Sequence, residues 1–268
     1  MNARPSGRGR FRRLPLQRRW IADLMAACAS RPVMAADRLM RIKDAAQARR
    51  AVANPPGWTA IIIKAYAIVA ARDAALRQAY FSLPWPHLYE HPVSVVGVVV
   101  EREWNGASAV FFDQIVAPEA LPLREIDAIV RGLRDRKVES VGGFRRQIRF
   151  SRLPMPLRRL FWWLGLRVSG YLHARYFGTF AVNSITLPRA GVVQTTSPIT
   201  MSLVHMPLAP QGHMLLVGAF DHRVLDGMQV GRALGQVEAA INNEIRDELL
   251  AMAAGQIAGA TSKTSGST

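Results

Sequence analysis

The stretch from Met214 to Gly227 reads MLLVGAFDHRVLDG and predicts a buried strand, a tight corner and the start of a helix. The apolar run ends at Phe220, and the corner that follows carries His222 and Asp226. An imidazole titrates near neutral pH, so a histidine at such a corner can accept a proton from a thiol or a hydroxyl. His222 is therefore the leading candidate for a catalytic base, and Gly227 indicates a corner held in one shape.

Hydrophobic periodicity in the rest of the chain predicts an α/β domain. Asn105-Gly106, between two runs rich in β-branched residues, is typical of a hairpin turn. The predicted helices cover residues 21–28, 59–76, 126–133 and 230–245, and the predicted strands cover residues 93–100, 109–116, 178–185, 199–206 and 212–220. Because helices and strands intermix, we expect a sandwich with a mixed sheet.

Four segments, taken in chain order, resemble landmarks of one enzyme family. Gln17–Ala22 resembles an opening Met-Arg-x-x-Ile-Ala helix, Ile62–Ala65 an Ile-Ile-Lys-Ala helix, Gly178–Ser184 a Gly-Thr-Phe-Thr-Ile-Ser-Asn strand, and Asp221–Gly227 the active-site signature. The family is that of the dihydrolipoamide acyltransferases, the core subunits of 2-oxo acid dehydrogenase complexes. The resemblance implies a chloramphenicol acetyltransferase-like two-layer sandwich with a mixed sheet and flanking helices.

The same resemblance implies a reaction. His222 would remove the proton from a thiol or hydroxyl acceptor, and the resulting anion would attack the thioester of an acyl-CoA. The imidazole would be oriented by its own backbone carbonyl. Asp226 would hold the loop through an arginine near the N-terminus, for which Arg18 is the best match and Arg19 the next. The chain is thus expected to be a CoA-dependent acyltransferase.

One position departs from the family pattern. The serine that donates to the tetrahedral oxyanion falls at Asn183, with Ser184 beside it. Side chains alternate between the faces of a strand, so only one of the two would point at the substrate, and a one-residue bulge would exchange them. An asparagine amide can also donate, and one such donor contributes about 3 kcal/mol to the transition state. Asn183 and Ser184 are both candidate oxyanion donors.

The organisation of the chain also differs from that of the family. We expect a disordered basic arm over residues 1–16, an acyltransferase domain over 17–250 and a disordered tail over 251–268. Family members carry lipoyl domains ahead of the catalytic domain, whereas no covalently attached lipoate is expected here. Acyl groups would come from free acyl-CoA, or the partner would be a lipoylated or acyl-carrier protein. Active sites between subunits imply a homotrimer, and trimers of this family can build a cage.

Charge points to an anionic partner. Lys and Arg total 35 against 19 Asp and Glu, a formal net charge of +16. No acidic residue occurs between Ser140 and Phe220. CoA phosphates, an acidic protein or lipid headgroups fit this excess, whereas nucleic acid is disfavoured because no recognised nucleic-acid module is present. Solubility and a coding bias toward arginine are the alternative explanation.

A basic amphipathic insert is predicted over residues 144–177. One side of its helical wheel is apolar, and Arg158 and Arg159 lie off that side; the apolar members are Leu157, Leu160, Phe161, Leu164, Val168 and Leu172. Such a segment is typical of an interfacial helix at a membrane. The alternative is a helix packed on a neighbouring subunit or over the substrate tunnel.

Several classes of protein are excluded or disfavoured. The single Cys28 excludes a disulfide framework and a thiolate metal site. The pattern His87-x-x-Glu90-His91 matches a zinc-peptidase motif, but the surrounding prolines oppose the helix that this motif needs, so no metal is expected. His205 stays unassigned. No apolar run is long enough to span a bilayer, and no secretory signal is evident, so a cytoplasmic protein is expected, with peripheral membrane contact as the alternative.

Three rival functions stay open at this point. The chain could be the catalytic core of a 2-oxo acid dehydrogenase-like complex whose lipoyl domains lie on another chain. It could also be a trimeric scaffold without efficient chemistry, which Asn183 would permit. A membrane-surface binding module is the third.

Overall fold

The computed structural model describes residues 13–184 and 196–265, with side chains up to residue 183 and over 196–256. The helices are α1 (Leu16–Cys28), α2 (Lys43–Arg50), α3 (Trp58–Arg72), α4 (Leu123–Asp135), α5 (Gly142–Arg152), α6 (Met155–Arg167), α7 (Gly170–Tyr176), α8 (Gly227–Ala240) and α9 (Arg246–Ser265). The strands are β1 (Val33–Arg41), β2 (Gln78–Phe81), β3 (His87–Glu90), β4 (Val95–Trp104), β5 (Ala107–Val116), β6 (Phe180–Ser184), β7 (Met201–His205) and β8 (His213–Asp221).

Six strands form one mixed sheet, in the order β1-β8-β7-β6-β4-β5. Strand β6 runs parallel to both neighbours, and the other pairs are antiparallel. Strands β2 and β3 form a separate hairpin. The predicted α/β fold with a mixed sheet is confirmed.

The hairpin of β4 and β5 turns at Asn105-Gly106, as predicted. Both residues have positive φ, 51° and 71°, which the tight turn between Trp104 and Ala107 requires. Glycine tolerates that conformation without strain, and asparagine adopts it more readily than most residues.

One face of the sheet packs against α3, α4 and α8. Helix α3 is apolar on nearly every side because it lies in the middle of this layer, and Ile61, Ile62 and Ile63 are fully buried. The Tyr66 ring packs on Phe180 of β6 with centroids 4.5 Å apart. This layer holds the main hydrophobic core, and β6 and β7 are held in place by packing against it.

The opposite face is covered in part by α1, α5, α6 and α7. Their aromatic side chains form a second cluster, in which Trp20 of α1 lies 4.8 Å from Trp162 and 5.1 Å from Phe112 between ring centroids. The predicted insert thus forms three helices, because the chain leaves helical geometry at Leu153 and Pro154 and again at Val168 and Ser169. The added helices give this face of the sheet a hydrophobic cover of its own.

The structure describes the two ends of the chain, both predicted to be disordered, only in part. The arm over 1–16 falls mostly outside the described residues, and α1 begins at Leu16. The segment from 251, predicted to be a disordered tail, continues α9 as far as Ser265. Ala253 is buried, and Gln256 exchanges hydrogen bonds of 2.8 and 3.0 Å with the backbone of Ala53. The ordered domain therefore extends beyond residue 250, because small residues there pack against the end of α2.

Candidate active site

The corner after β8 presents His222 at the surface. The backbone turns there through N–H donations from Val224 (3.0 Å) and Leu225 (3.2 Å) to the carbonyl of Asp221. The His222 side chain is 42% exposed, and its Nδ1 lies 2.9 Å from the Leu225 carbonyl oxygen. Because a carbonyl only accepts, this contact assigns the proton to Nδ1 and leaves Nε2 as the basic nitrogen. The orienting carbonyl is that of Leu225, not the histidine's own as the resemblance implies.

The Asp221 side chain stabilises the corner through two arginines. Its carboxylate accepts from Nε and Nη2 of Arg223 at 2.9 and 2.5 Å, and Arg31 lies 3.8 Å away. The Arg223 guanidinium lies 4.5 Å above the ring of Tyr80. Burial opposes ionisation of Asp221, but hydrogen bonds from Arg223 and the charge of Arg31 outweigh it, so the pKa of Asp221 lies below its usual value. A buried, ionised carboxylate with two arginines gives the corner a fixed shape.

Asp226 does not have the predicted arginine partner. Its side chain is 79% exposed, and it is the N-cap residue of α8, where its backbone N–H donates to Gln229 Oε1 at 2.8 Å. Its carboxylate lies 3.9 Å from Nδ1 of His222. Arg18 is exposed, and within residues 13–184 and 196–265 no ion pair joins Arg18 or Arg19 to Asp226. The predicted pair of Asp226 with Arg18 or Arg19 is thus not formed within this single chain. The carboxylate that does pair with arginines at this corner is Asp221, the first residue of the motif.

Gly227 is the first residue of α8. Its φ lies outside the left-handed region, and no described atom is within 4 Å of the place where a Cβ would stand. The prediction that this glycine shapes the corner is thus not supported by the chain's own geometry. The shape comes from Asp221 and its arginines.

Asn183 lines a cavity of about 370 Å³ on the second face of the sheet. The walls are mainly apolar; beside the sheet they include Trp20, Leu24, Phe112, Trp162 and Phe177, and the serines Ser197 and Ser202. Alternation along β6 places Val182 in the main core and Asn183 in this cavity. The Ser184 side chain lies outside the described residues, so the alternative donor is left as a prediction. An amide in such a cavity can donate to an anion without competition from bulk water.

Asn183 and His222 are far apart on one chain. Asn183 pairs with Val204, which pairs with Val217, five residues before His222. Those five residues span about 16 Å along the strand and two strand spacings add about 10 Å, so the two Cα atoms are about 19 Å apart. One chain therefore does not bring the candidate base and the candidate oxyanion donor together.

Arg31 connects the corner to the cavity wall. Besides its contact with Asp221, its Nη1 donates to the carbonyl of Pro198 at 2.6 Å. That carbonyl also lies 2.8 Å from Nε2 of the buried His173. Sequence reasoning missed Arg31, since nothing in its neighbourhood marks it. The signal for Asp221 was present, because a carboxylate that directly ends a buried strand needs a cationic partner.

A second cleft of about 420 Å³ lies at the N-terminus of α3. Trp58 and Arg131 line it, Nη2 of Arg134 donates to Thr59 Oγ1 at 3.2 Å, and Nε2 of His205 lies 3.1 Å from the same hydroxyl. His205, which the sequence left unassigned, is buried and follows directly along β7 from the partner of Asn183. Asp127 also lines this cleft and accepts from Nε of Arg131 at 2.6 Å, so Arg134 is the arginine there whose charge no described carboxylate balances.

The zinc-peptidase pattern noted in the sequence does not form a metal site. His87–Glu90 form strand β3, so the zinc-peptidase pattern lacks the helix it needs. Within the described part of the chain no three His, Cys, Asp or Glu side chains are grouped to hold a metal ion.

Comparison with solved structures identifies the fold. No family model matches the sequence, and no curated protein matches it. Dihydrolipoamide acetyltransferase of Azotobacter vinelandii is 15% identical, with a TM-score of 0.60 over 93% of this chain and 100% of that one. The cubic core of a pyruvate dehydrogenase multienzyme complex is also 15% identical, with a TM-score of 0.59 and the same coverage. A chloramphenicol acetyltransferase is 10% identical, with a TM-score of 0.51 over 83% of this chain and 94% of that one.

These structures cover between 83% and 93% of this chain. At such identities the likeness concerns the fold, and it confirms the chloramphenicol acetyltransferase-like sandwich expected from the sequence. The chain has the fold of the acyltransferase catalytic cores of 2-oxo acid dehydrogenase complexes and of chloramphenicol acetyltransferase.

Proposed function

We propose that this protein is a CoA-dependent acyltransferase with His222 as its base. The observation that carries the proposal is the imidazole at the corner of this fold: it is half exposed, and its Nδ1 proton is engaged by Leu225. The ion pair of Asp221 with Arg223 stabilises the same corner, so Nε2 of His222 is held in one orientation. A base that is oriented and accessible is what proton transfer from a thiol or hydroxyl requires.

The reaction balances with these groups alone. Nε2 of His222 takes the proton of the acceptor thiol or hydroxyl as the sulfur or oxygen attacks the carbonyl carbon of an acyl-CoA. The tetrahedral oxyanion accepts a hydrogen bond from Nδ2 of Asn183. Collapse breaks the bond to the CoA sulfur, and the leaving thiolate takes the proton from the imidazolium. The acyl group ends on the acceptor, and CoA leaves as the free thiol.

The site would be shared between two copies of the chain. About 19 Å separates His222 from Asn183 within one copy, whereas the reaction needs both at one carbonyl. A homotrimer in which each base faces its neighbour's Asn183 resolves this distance. Self-assembly is consistent with the fold, since one protein that shares it forms the cubic core of a multienzyme complex.

Residue types in a similar enzyme support the assignment. The Azotobacter vinelandii enzyme has been studied for the role of a serine, a histidine and an asparagine in its catalytic mechanism, and its asparagine stands four residues after its histidine. Asp226 stands four residues after His222 here. We assign Asp226 to positioning of the corner through the N-cap of α8, and not to proton transfer.

The cleft at the start of α3 suits the phosphates of CoA. Arg134 supplies charge, Arg131 being paired with Asp127, while Thr59 and the first turn of α3 supply donors and Trp58 offers a ring on which an adenine could stack. The cleft lies at the same end of the sheet as Asn183, because His205 pairs with the residue next to it. The acceptor could then be a free thiol or hydroxyl compound, or a lipoylated or acyl-carrier protein.

A panel of acyl-CoA donors tests the proposal, with release of free CoA thiol as the measurement and small dithiols and alcohols as acceptors. His222→Ala should slow release about a thousandfold, since general base catalysis is lost. Asn183→Ala should slow it about a hundredfold, and Asn183→Ser should retain more activity than Asn183→Ala. His213→Ala is the matched control, because it removes a histidine at the other end of β8 from the corner that carries His222.

Equal release by the wild type and His222→Ala with every donor would remove the enzymatic assignment. If His222→Ala is inactive but Asn183→Ala transfers acyl groups as fast as the wild type, the oxyanion donor is a residue other than Asn183.

A further inference from the structure

Helix α6 presents large apolar side chains to solvent. Leu157 is 52% exposed, Leu160 51% and Trp163 45%, and their spacing of three residues puts them on one side of the helix. Trp162 and Leu166 face the other way and are buried against α1 and α7. A soluble helix normally buries its most apolar side, so the arrangement is reversed here.

A buried ion pair keeps α6 in this orientation. Nε of Arg158 donates to Asp23 of α1 at 2.6 Å, and Nη1 donates to the carbonyl of Leu153 at 2.8 Å. Both charged side chains are almost fully buried. Rotating the apolar side of α6 inward would expose this pair and leave the space around Trp162 unfilled. The outward position of Leu157 and Leu160 is therefore built into the packing.

The surface around these side chains carries strong positive charge. The helices α5, α6 and α7 contain no Asp or Glu. Their exposed arginines are Arg145, Arg146, Arg149, Arg152, Arg159, Arg167 and Arg175. Nearby carboxylates are already engaged, Asp23 with Arg158 and Asp113 with Arg146. Apolar side chains flanked by arginines are the composition of a helix that lies in the interface of an anionic membrane.

A groove of about 560 Å³ between α1 and α6 continues this surface. Ala22 and Ala26 lie on the α1 side, and Trp163, Arg159 and Arg167 on the α6 side. Leu14 also lines the groove, and five of the 13 residues that precede it in the sequence are arginines. An apolar floor with arginines along one side fits a lipid acyl chain below its phosphate.

We propose that the outward side of α6 docks on an anionic phospholipid surface. Leu157, Leu160 and Trp163 enter the region between headgroups and acyl chains, and the arginines contact lipid phosphates. A second copy of this chain docked through the same face is the poorer occupant, because two such faces would bring two sets of arginines together, and contact with a different face of a neighbouring copy is an outcome of the test below. The contact is peripheral, and within the described residues no helix has the length and apolar character needed to cross a bilayer.

Vesicle flotation tests the proposal on the full chain. The vesicles are phosphatidylcholine alone, or equal parts of phosphatidylcholine and phosphatidylglycerol. Wild type should float with the mixed vesicles, not with phosphatidylcholine alone, and added salt should release it. The double variant Leu157→Glu, Leu160→Glu should lower the partition coefficient roughly a hundredfold or more, from lost apolar insertion and from repulsion.

The double variant Leu88→Glu, Leu250→Glu is the matched control. Both leucines are about as exposed as those of α6, at 47% and 48%, and the charge change is the same. This control should float like the wild type. Equal flotation of the two double variants, or no flotation of wild type, would overturn the proposal. If wild type fails to float and the α6 variant changes the oligomeric state in light scattering, the face binds another copy instead.

The outcome is independent of the proposed acyl transfer. Flotation needs no acyl donor, and α6 contributes neither His222 nor Asn183. The Leu157→Glu, Leu160→Glu variant should therefore keep its release of CoA from a soluble acyl-CoA. If the wild type floats but shows no acyl transfer, the membrane proposal stands and the enzymatic proposal fails. If it transfers acyl groups but does not float, the enzymatic proposal stands and the membrane proposal fails.

Discussion

Mild acid should destabilise this protein strongly because three histidines are buried as neutral rings. His91 packs on His173 with ring centroids 5.7 Å apart, and His205 lies beneath the α3 cleft. Burial lowers the pKa of His91 to about 4, with Arg77 adding to the effect, and that of His173 to about 3, with Arg31 adding. Burial likewise lowers the pKa of His205 to about 4.

The sign follows from proton binding. An unfolded chain protonates its histidines as the pH falls through about 6.5, whereas these three native rings stay neutral until about pH 4. The unfolded state therefore binds more protons in this window, and stability that is present above about pH 6.5 is lost as the pH falls. Between about pH 7 and pH 5 each ring removes about 2 kcal/mol, and the three together about 6 kcal/mol. That is comparable with the whole stability of an ordinary domain, about 5–15 kcal/mol.

Urea unfolding followed by tryptophan fluorescence at several pH values measures the effect. The free energy of unfolding should fall continuously from about pH 7 to pH 5, a range in which ordinary carboxylates stay ionised. His205→Gln, whose amide can still bond Thr59, should lose about 2 kcal/mol less over the same range. A free energy of unfolding that stays constant between those pH values would refute the reasoning, as would an unchanged pH dependence in the His205→Gln variant.

Three further predictions concern packing and reactivity. Arg158→Leu leaves the Asp23 carboxylate buried without its partner, so urea unfolding should show a loss of about 3–5 kcal/mol, most of which is recovered when Asp23 is also replaced by Leu. Gly143→Ala would place a Cβ 2.4 Å from the Asp113 carboxylate and should lower the free energy of unfolding by about 1–3 kcal/mol. In the neighbouring Gly142→Ala the new Cβ meets no described atom within 4 Å, so this variant should be as stable as the wild type. Thermal unfolding compares the two variants, and an equal effect would contradict the contact. Burial raises the pKa of Cys28 to about 11, so the folded protein should react with a thiol reagent about a hundredfold more slowly than a free cysteine, and fast labelling without unfolding would show the thiol to be accessible.

The sequence predicted the elements whose physical signal is local. The hairpin followed from Asn105-Gly106, and the corner at His222 followed from an apolar run that ends in polar residues. Strand β1 was missed because it is an edge strand. It contains Asp37 and Arg38, and only Met40 is buried, so it lacks the alternation that marks a half-buried strand.

Side-chain partners were harder to predict than elements. A helical wheel correctly grouped Leu157 with Leu160, but it does not say which side of a helix faces the core, and here the side with Arg158 does. Similarly, the motif contains two carboxylates, and periodicity does not tell which one is buried. Arg31 lies far from Asp221 in sequence, so only the folded chain brings them together.

The distance between His222 and Asn183 within one chain has a consequence for mixed assemblies. Under the proposed mechanism, a protein that lacks the histidine and a protein that lacks the asparagine would each lose nearly all activity alone, yet each would retain the half that the other has lost. After unfolding and joint refolding in equal amounts, random association would place an intact histidine opposite an intact asparagine at about a quarter of the boundaries between neighbours. Activity would then rise well above that of either parent, whereas a site completed within each copy would give no such rise.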